Sequence, residues 1–192
     1  VMGIDAFMLG AQSVNPNFKL KIVWVNSWFD PGKEADAAKA LFDQGADIIT
    51  QHTDSTAALQ VAEERGLHGF GQSSDMIKFA PKAQLTANTD NWGPYYVKRI
   101  KEALDGTWKP DNVWLGIKDG AVELSPFTNM PDDVKAMAEA TKKKIADGWN
   151  PFTGPVAKQD GSAWLKDGEV ADDATLLGLN FYVKGIDDKL PQ

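Results

Sequence analysis

The residues of this chain that could do chemistry gather where apolar runs give way to polar ones. They are Ser27 and Trp28, then His52, Thr53 and Asp54, then Ser73 and Asp75, and finally Asp90 and Trp92. Gly71-Gln72-Ser73-Ser74-Asp75 approaches the G-x-S-x-G turn of serine hydrolases but carries Asp75 where that turn needs its last glycine. His52 and His68 could serve as bases, yet nothing in the order of the chain joins either to Ser73. An enzyme using Asp75 or His52 as acid or base is therefore the weakest of three readings. The two histidines show no metal-ligand spacing, and the absence of cysteine excludes disulfides, thiolate chemistry and cysteine metal sites. No P-loop or G-x-G-x-x-G is present to cradle a phosphate, and no cofactor is expected.

What remains is recognition. An aromatic such as Trp28, flanked by Ser27 and followed by Asp30-Pro31, can offer a flat face to a planar or sugar ligand. The alternative is burial in the core, in a chain with 7 tryptophans. The carboxylates of Asp54, Asp75 and Asp90 can accept hydrogen bonds from ligand N–H or O–H groups. Their alternative is capping of the following helix, favourable by about 1 kcal/mol. Ligands of an open parallel sheet sit outside the carboxyl ends of its strands, so convergence of these residues at one edge favours binding.

The elements that must position them are short. Residues 21–25 and 47–50 are β-branched apolar runs that suit strands covered on both faces. Each leads into an alanine-rich helix, 34–44 and 55–65, stopped by Gly45 and Gly66. Residues 67–71 and 84–90 read as two more strands, and 94–104 as a helix. This alternation predicts an α/β fold with a parallel sheet flanked by helices. Val1, Ile4, Phe7, Met8 and Ala11 recur at helical spacing, with neither the basic region nor the cleavage signature of a signal peptide. Further on, 113–117 and 121–124 read as paired strands around a turn at 118–120. A helix is expected over 131–146 with Pro131 in its first turn, and a hairpin tip at Asp160-Gly161. Trp149, Phe152, Trp164, Leu176, Leu177 and Phe181 are the expected anchors of the last stretch, where Asp172-Asp173, like Asp132-Asp133, sits at a helix start.

The net charge of −7, from 20 lysines and arginines against 27 acids, argues against nucleic acid as a partner. The one dense basic run, Lys142-Lys143-Lys144, falls late in a predicted helix, where it complements the helix dipole. No apolar run approaches the roughly 20 residues needed to cross a bilayer.

The segments VWVNSWFDPGKEADAAKALFDQGADIITQHTD and GFGQSSDMIKFAPKAQLTANTDNWGPYY resemble the basic membrane protein family. Its members are substrate-binding proteins of ABC importers, and the characterised kind binds purine nucleosides or related bases. The resemblance implies the fold of a type I periplasmic binding protein, in which two α/β lobes close over a ligand. It also implies that this chain matches the second lobe plus return segments, with most of the first lobe missing. On that basis 1–90 is the ligand-binding lobe, 91–112 a hinge and return helix, and 113–192 strands, helix and extension packing on the lobe.

Carried across by position, Trp28 falls where the family stacks an aromatic on the base. The Thr53-Asp54 loop falls where a backbone contact to ligand is made. Ser73 and Asp75 fall in the turn whose aspartate binds a ribose hydroxyl, and here only Asp75 is acidic. Asp90 departs from the pattern, which has a lysine near this point serving the ribose. The aspartate, with Trp92 two residues on, points to a free nucleobase or another small heterocycle. The implied partners are a purine base or nucleoside and an ABC permease. The implied location is periplasmic or anchored on the extracytoplasmic side of the membrane. The alternative reading is the metabolite-sensing effector domain of a transcription regulator with the same fold. Without a first lobe, Tyr96, Val97, Ile100 and Leu104 would lie bare, which predicts self-association or marginal stability.

Overall fold

In the computed structural model, which describes residues 1–191, strands and helices alternate as their patterns require. Two compact units form, 25–148 and 1–24 with 149–192. The sequence-read boundaries after residues 90 and 112 fall inside the first of these.

The unit 25–148 is built on a four-stranded sheet of order β1-β2-β3-β4. β1 (Ile48–Ile49), β2 (His68–Gly71) and β3 (Gln84–Asp90) are parallel. β4 (Val122–Leu124) runs antiparallel to β3, in register Asn88↔Leu124 to Asp90↔Val122. The helices α2 (Pro31–Asp43) and α3 (Ala57–Arg65) supply Ala38, Phe42, Leu59, Val61 and Ala62 to a core shared with Ile49, Met76 and Ala80. Small residues on facing elements let helix and strand approach closely. A Cβ on Gly69 would meet Leu59 Cδ2 at 2.7 Å and Ile49 Cγ2 at 2.9 Å. Gly66 closes α3 in the left-handed conformation with φ 66°. α4 (Gly93–Leu104) and α5 (Asp132–Ala146) complete the unit and bury none of their residues fully.

The unit 1–24 with 149–192 holds α1 (Met2–Val14), the antiparallel pair β5 (Val156–Ala157) and β6 (Ala163–Leu165), and α6 (Asp173–Leu177). Its core is Met8, Phe152, Val156, Leu165, Leu176, Tyr182, Val183 and Ile186. The hairpin tip turns at Gly161 with φ 84°, where Asp160 Oδ1 accepts the amide of Ser162 at 2.8 Å. Asp172 caps α6 by accepting the amide of Thr175. Of the expected anchors, Phe152 and Leu176 are buried, whereas Trp149 and Leu177 are exposed.

Two expected strands do not form. Residues 21–25 make no ladder; only Leu20 bridges Ile186. Ile22 N donates instead to Asp188 Oδ2 at 2.7 Å and Trp24 Nε1 to Tyr182 OH at 3.2 Å. β-branched residues make the backbone extended, but a ladder also needs a neighbouring strand in register. Residues 113–117 likewise remain unpaired. A 3₁₀ turn at Ile117–Asp119, closed by Gly120 at φ 70°, leads into β4, whose hydrogen bonds go to β3. Pro131 sits one position ahead of its helix, as the N-cap of α5.

Candidate ligand-binding site

The loops after β1, β2 and β3, together with the 25–30 loop that leads into α2, converge at one end of the sheet. Asp54 N donates to Trp28 O at 2.8 Å, joining the first two loops through their backbones. Trp28 is not core: its indole is 66% exposed and lies edge-to-face with His52, ring centroids 5.8 Å apart. His52 Nδ1 is 3.1 Å from Gln72 Nε2, and the same amide nitrogen donates to Ser73 Oγ at 3.1 Å. Ser73 O in turn accepts Asp90 N at 3.3 Å. A continuous line of contacts thus runs from Trp28 through His52, Gln72 and Ser73 to Asp90.

The backbone is held in costly conformations here. Asn26 and Ser73 have φ of 51° and 56°, a left-handed region that non-glycine residues enter rarely. Gly71, just before, could not carry a Cβ, which would come within 2.6 Å of Ala87 Cβ.

The carboxylates differ in what holds them. Asp54 does not cap α3, whose N-cap is Thr56, and its side chain is exposed. Asp75 Oδ1 accepts Gln84 Nε2 at 2.7 Å and Ile77 N at 3.1 Å, so one oxygen is fixed while the residue stays exposed. Asp90 ends β3, exposed. Trp92 begins α4 as its N-cap, 48% exposed and stacked on Tyr96 with centroids 6.0 Å apart. Ser27 is half-buried beside Trp28.

Two residues that sequence reasoning passed over organise the site. Glu34 is buried, and its carboxylate accepts Ser55 Oγ at 2.6 Å, Thr53 Oγ1 at 2.8 Å and Asp30 N at 3.0 Å. The Thr53 hydroxyl is therefore committed inward. Burial works against the charge of Glu34, but the bonds from Ser55, Asp30 and Thr53 outweigh it and hold the carboxyl below its ordinary range. A glutamate in the first turn of α2 reads as ordinary dipole complementation, so only the fold reveals its partners. Gln72, the other, carries no chemical signature of its own. Ser73 Oγ accepts from Gln72 Nε2, the same nitrogen that faces His52 Nδ1, so the amide stands between the hydroxyl and the imidazole. Among the described residues no cluster of three or more His, Asp or Glu could hold a metal ion.

The arrangement is an exposed shelf with an aromatic face, one imidazole and three carboxylates. Comparison with known proteins places this shelf in context. The chain is 71% identical to the purine-binding protein BAB2_0673 of Brucella abortus over its whole length, covering 55% of that protein. It is 32% identical to the putative ABC transporter glucose-binding protein TsgA13 of Haloferax volcanii, covering 47% of it. The chain thus spans about half the length of the curated relatives it matches. Among solved structures it resembles an ABC transporter solute-binding protein from Conexibacter woesei, with TM-score 0.58 and 23% identity over 73% of this chain and 48% of that one. It also resembles a transcriptional activator of the comK gene from Bacillus halodurans, with TM-score 0.63 and 19% identity over 72% and 50%. These likenesses show the fold of periplasmic-type solute-binding proteins. Residues 2–151 match the family described as ABC transporter substrate-binding protein PnrA-like, and the chain belongs to that family.

Proposed function

We propose that this chain forms one wall of the ligand cleft of an ABC importer's substrate-binding protein, and that the ligand is a purine base or nucleoside. The observation that carries the proposal is the exposed Trp28 ring, on a loop held by the Asp54–Trp28 backbone bond, at the end of the sheet where Asp54, Asp75 and Asp90 are also exposed. An indole face takes the plane of a base, and carboxylates accept its N–H groups. The 71% identity to a purine-binding protein supports this ligand over the sugar named for the 32% identical relative. Asp90 at the end of β3 favours a free base over a nucleoside. The family resemblance supports closure of a first lobe over the ligand, which would bury most of it, and recognition of the closed form by a permease at the extracytoplasmic face. No helix among the described residues is long and apolar enough to cross a membrane. The solved transcriptional activator shares the fold at an identity that speaks to architecture alone.

The test is calorimetric titration of adenine, hypoxanthine, adenosine, guanosine and glucose. It is run on this chain and on the chain preceded by the N-terminal part of the Brucella abortus relative. Tight binding of a base in the longer form supports the proposal. Binding of glucose alone, or of nothing, overturns the purine assignment.

A further inference from the structure

Gln72 presents one amide nitrogen to two acceptors, His52 Nδ1 and Ser73 Oγ, each at 3.1 Å. An amide NH₂ has two hydrogens and no lone pair to offer, so both contacts use its donors. The imidazole nitrogen facing it must then be the bare acceptor, and the single proton of the neutral ring sits on Nε2. Nε2 lies across the ring from Gln72, His52 is exposed, and its ring is tilted 65° to the Trp28 indole with centroids 5.8 Å apart. Resting on the purine reading above, we infer that His52 is a specificity-determining residue, donating from Nε2–H to an acceptor atom of the base beside Trp28. Gln72 is the positioning residue that sets its tautomer.

The chemistry narrows the ligand class. The carboxylates of Asp54, Asp75 and Asp90 offer acceptors only, and His52 sets an imidazole N–H donor at the same end of the sheet, next to Trp28. A neutral donor placed with carboxylate acceptors suits a ring edge on which an acceptor and a donor stand side by side. Adenine has that edge, with N7 as acceptor next to the N6 amino group. The strained left-handed backbone of Ser73 also gains a purpose, because it turns Ser73 Oγ onto the amide that holds the histidine.

The experiment compares adenine with 7-deazaadenine, which lacks the acceptor, by NMR titration of the full chain, a method that reads millimolar affinities. The unsubstituted chain is expected to prefer adenine by about five- to tenfold, the worth of one hydrogen bond. His52→Phe keeps an aromatic edge on Trp28 and should bind both bases equally, while His52→Gln, which keeps a donor, should restore part of the preference. Imidazole ¹⁵N shifts should show the Nε2–H tautomer, giving way to a mixture in Gln72→Leu. A His52→Phe chain with the original preference, or a dominant Nδ1–H tautomer, overturns this inference and leaves the purine reading standing. Failure of both this chain and the longer form to bind either base overturns both.

Discussion

The carboxylate of Glu34 accepts the hydroxyl of Ser55 at 2.6 Å, and both residues are buried. With the bonds from Thr53 and Asp30, this ties the first turn of α2 to the loop that carries Asp54. Glu34→Ala would leave two hydroxyls and one amide without their acceptor. Loss of about 2–4 kcal/mol in urea unfolding is expected, since hydrogen bonds to a charged group exceed neutral ones. A loss below 1 kcal/mol would mean that water replaces the carboxylate. Glu34→Gln keeps the shape and one acceptor, and should lose less.

The pH dependence of stability should contain two opposing parts. Glu34 has its carboxyl below the ordinary 4.5 in the fold, so its contribution is full above that value and is lost as pH falls through the folded one. Asp5 behaves in the opposite sense. It is fully buried in α1, where Oδ1 accepts Val183 N at 3.0 Å and Oδ2 has no partner. Desolvation raises its carboxyl from 3.8 to about 6, partly offset by that hydrogen bond. The folded state therefore holds more protons than the unfolded one between these values, and stability falls as pH rises across them. The charged form costs on the order of 3 kcal/mol above pH 6. Asp5→Asn should flatten the unfolding free energy between pH 4 and 6, and an unchanged slope would remove Asp5 from the account.

How much was legible beforehand follows from what each signal encodes. Local signals succeeded: the strand over 84–90, the glycine stops at Gly45 and Gly66, and the Asp160-Gly161 tip depend on nearby residues alone. Pairing failed at 21–25 and 113–117, because β propensity says nothing of which strand is adjacent. The polar ends of the strands were visible as clusters. Their wiring was not, since the partners of Glu34 at Thr53 and Ser55 lie 19 and 21 residues away. Whether Trp28 was core or surface could not be settled by composition, and the fold sets it at 66% exposed.

One face of α4 is bare: Tyr96, Val97, Ile100 and Leu104 are 57%, 52%, 60% and 82% exposed. These positions recur at helical spacing and form a continuous apolar stripe. The chain is expected to self-associate at micromolar concentration in sedimentation velocity, and Ile100→Glu with Leu104→Lys should shift it toward monomer. A monomer at all concentrations in the unsubstituted chain would show that the stripe is tolerated in water.

Gly71 leaves no room for a side chain, one residue before Gln72 of the candidate site. A Cβ there would lie 2.6 Å from Ala87 Cβ and 3.0 Å from Gln84 Oε1, at the end of β2 where it pairs with Ala87 of β3. Gly71→Ala should cost about 1–3 kcal/mol as overpacking. The displaced Gln72 and Ser73 should also weaken purine binding, and full affinity in a destabilised variant would dissociate shelf from strand.

Trp28 offers the cleanest separation of function from folding. An indole two-thirds exposed contributes little to the core, so Trp28→Ala should change stability by no more than about 0.5 kcal/mol. If the ring carries the base, the same substitution removes a stacking surface worth about 1–3 kcal/mol, or roughly five- to 150-fold in affinity. Trp28→Phe should recover much of that, because the smaller ring still presents a face. Binding and unfolding measured side by side decide the matter. A large loss of stability would make Trp28 a packing residue despite its exposure, and unchanged affinity in Trp28→Ala would move the ligand away from this end of the sheet.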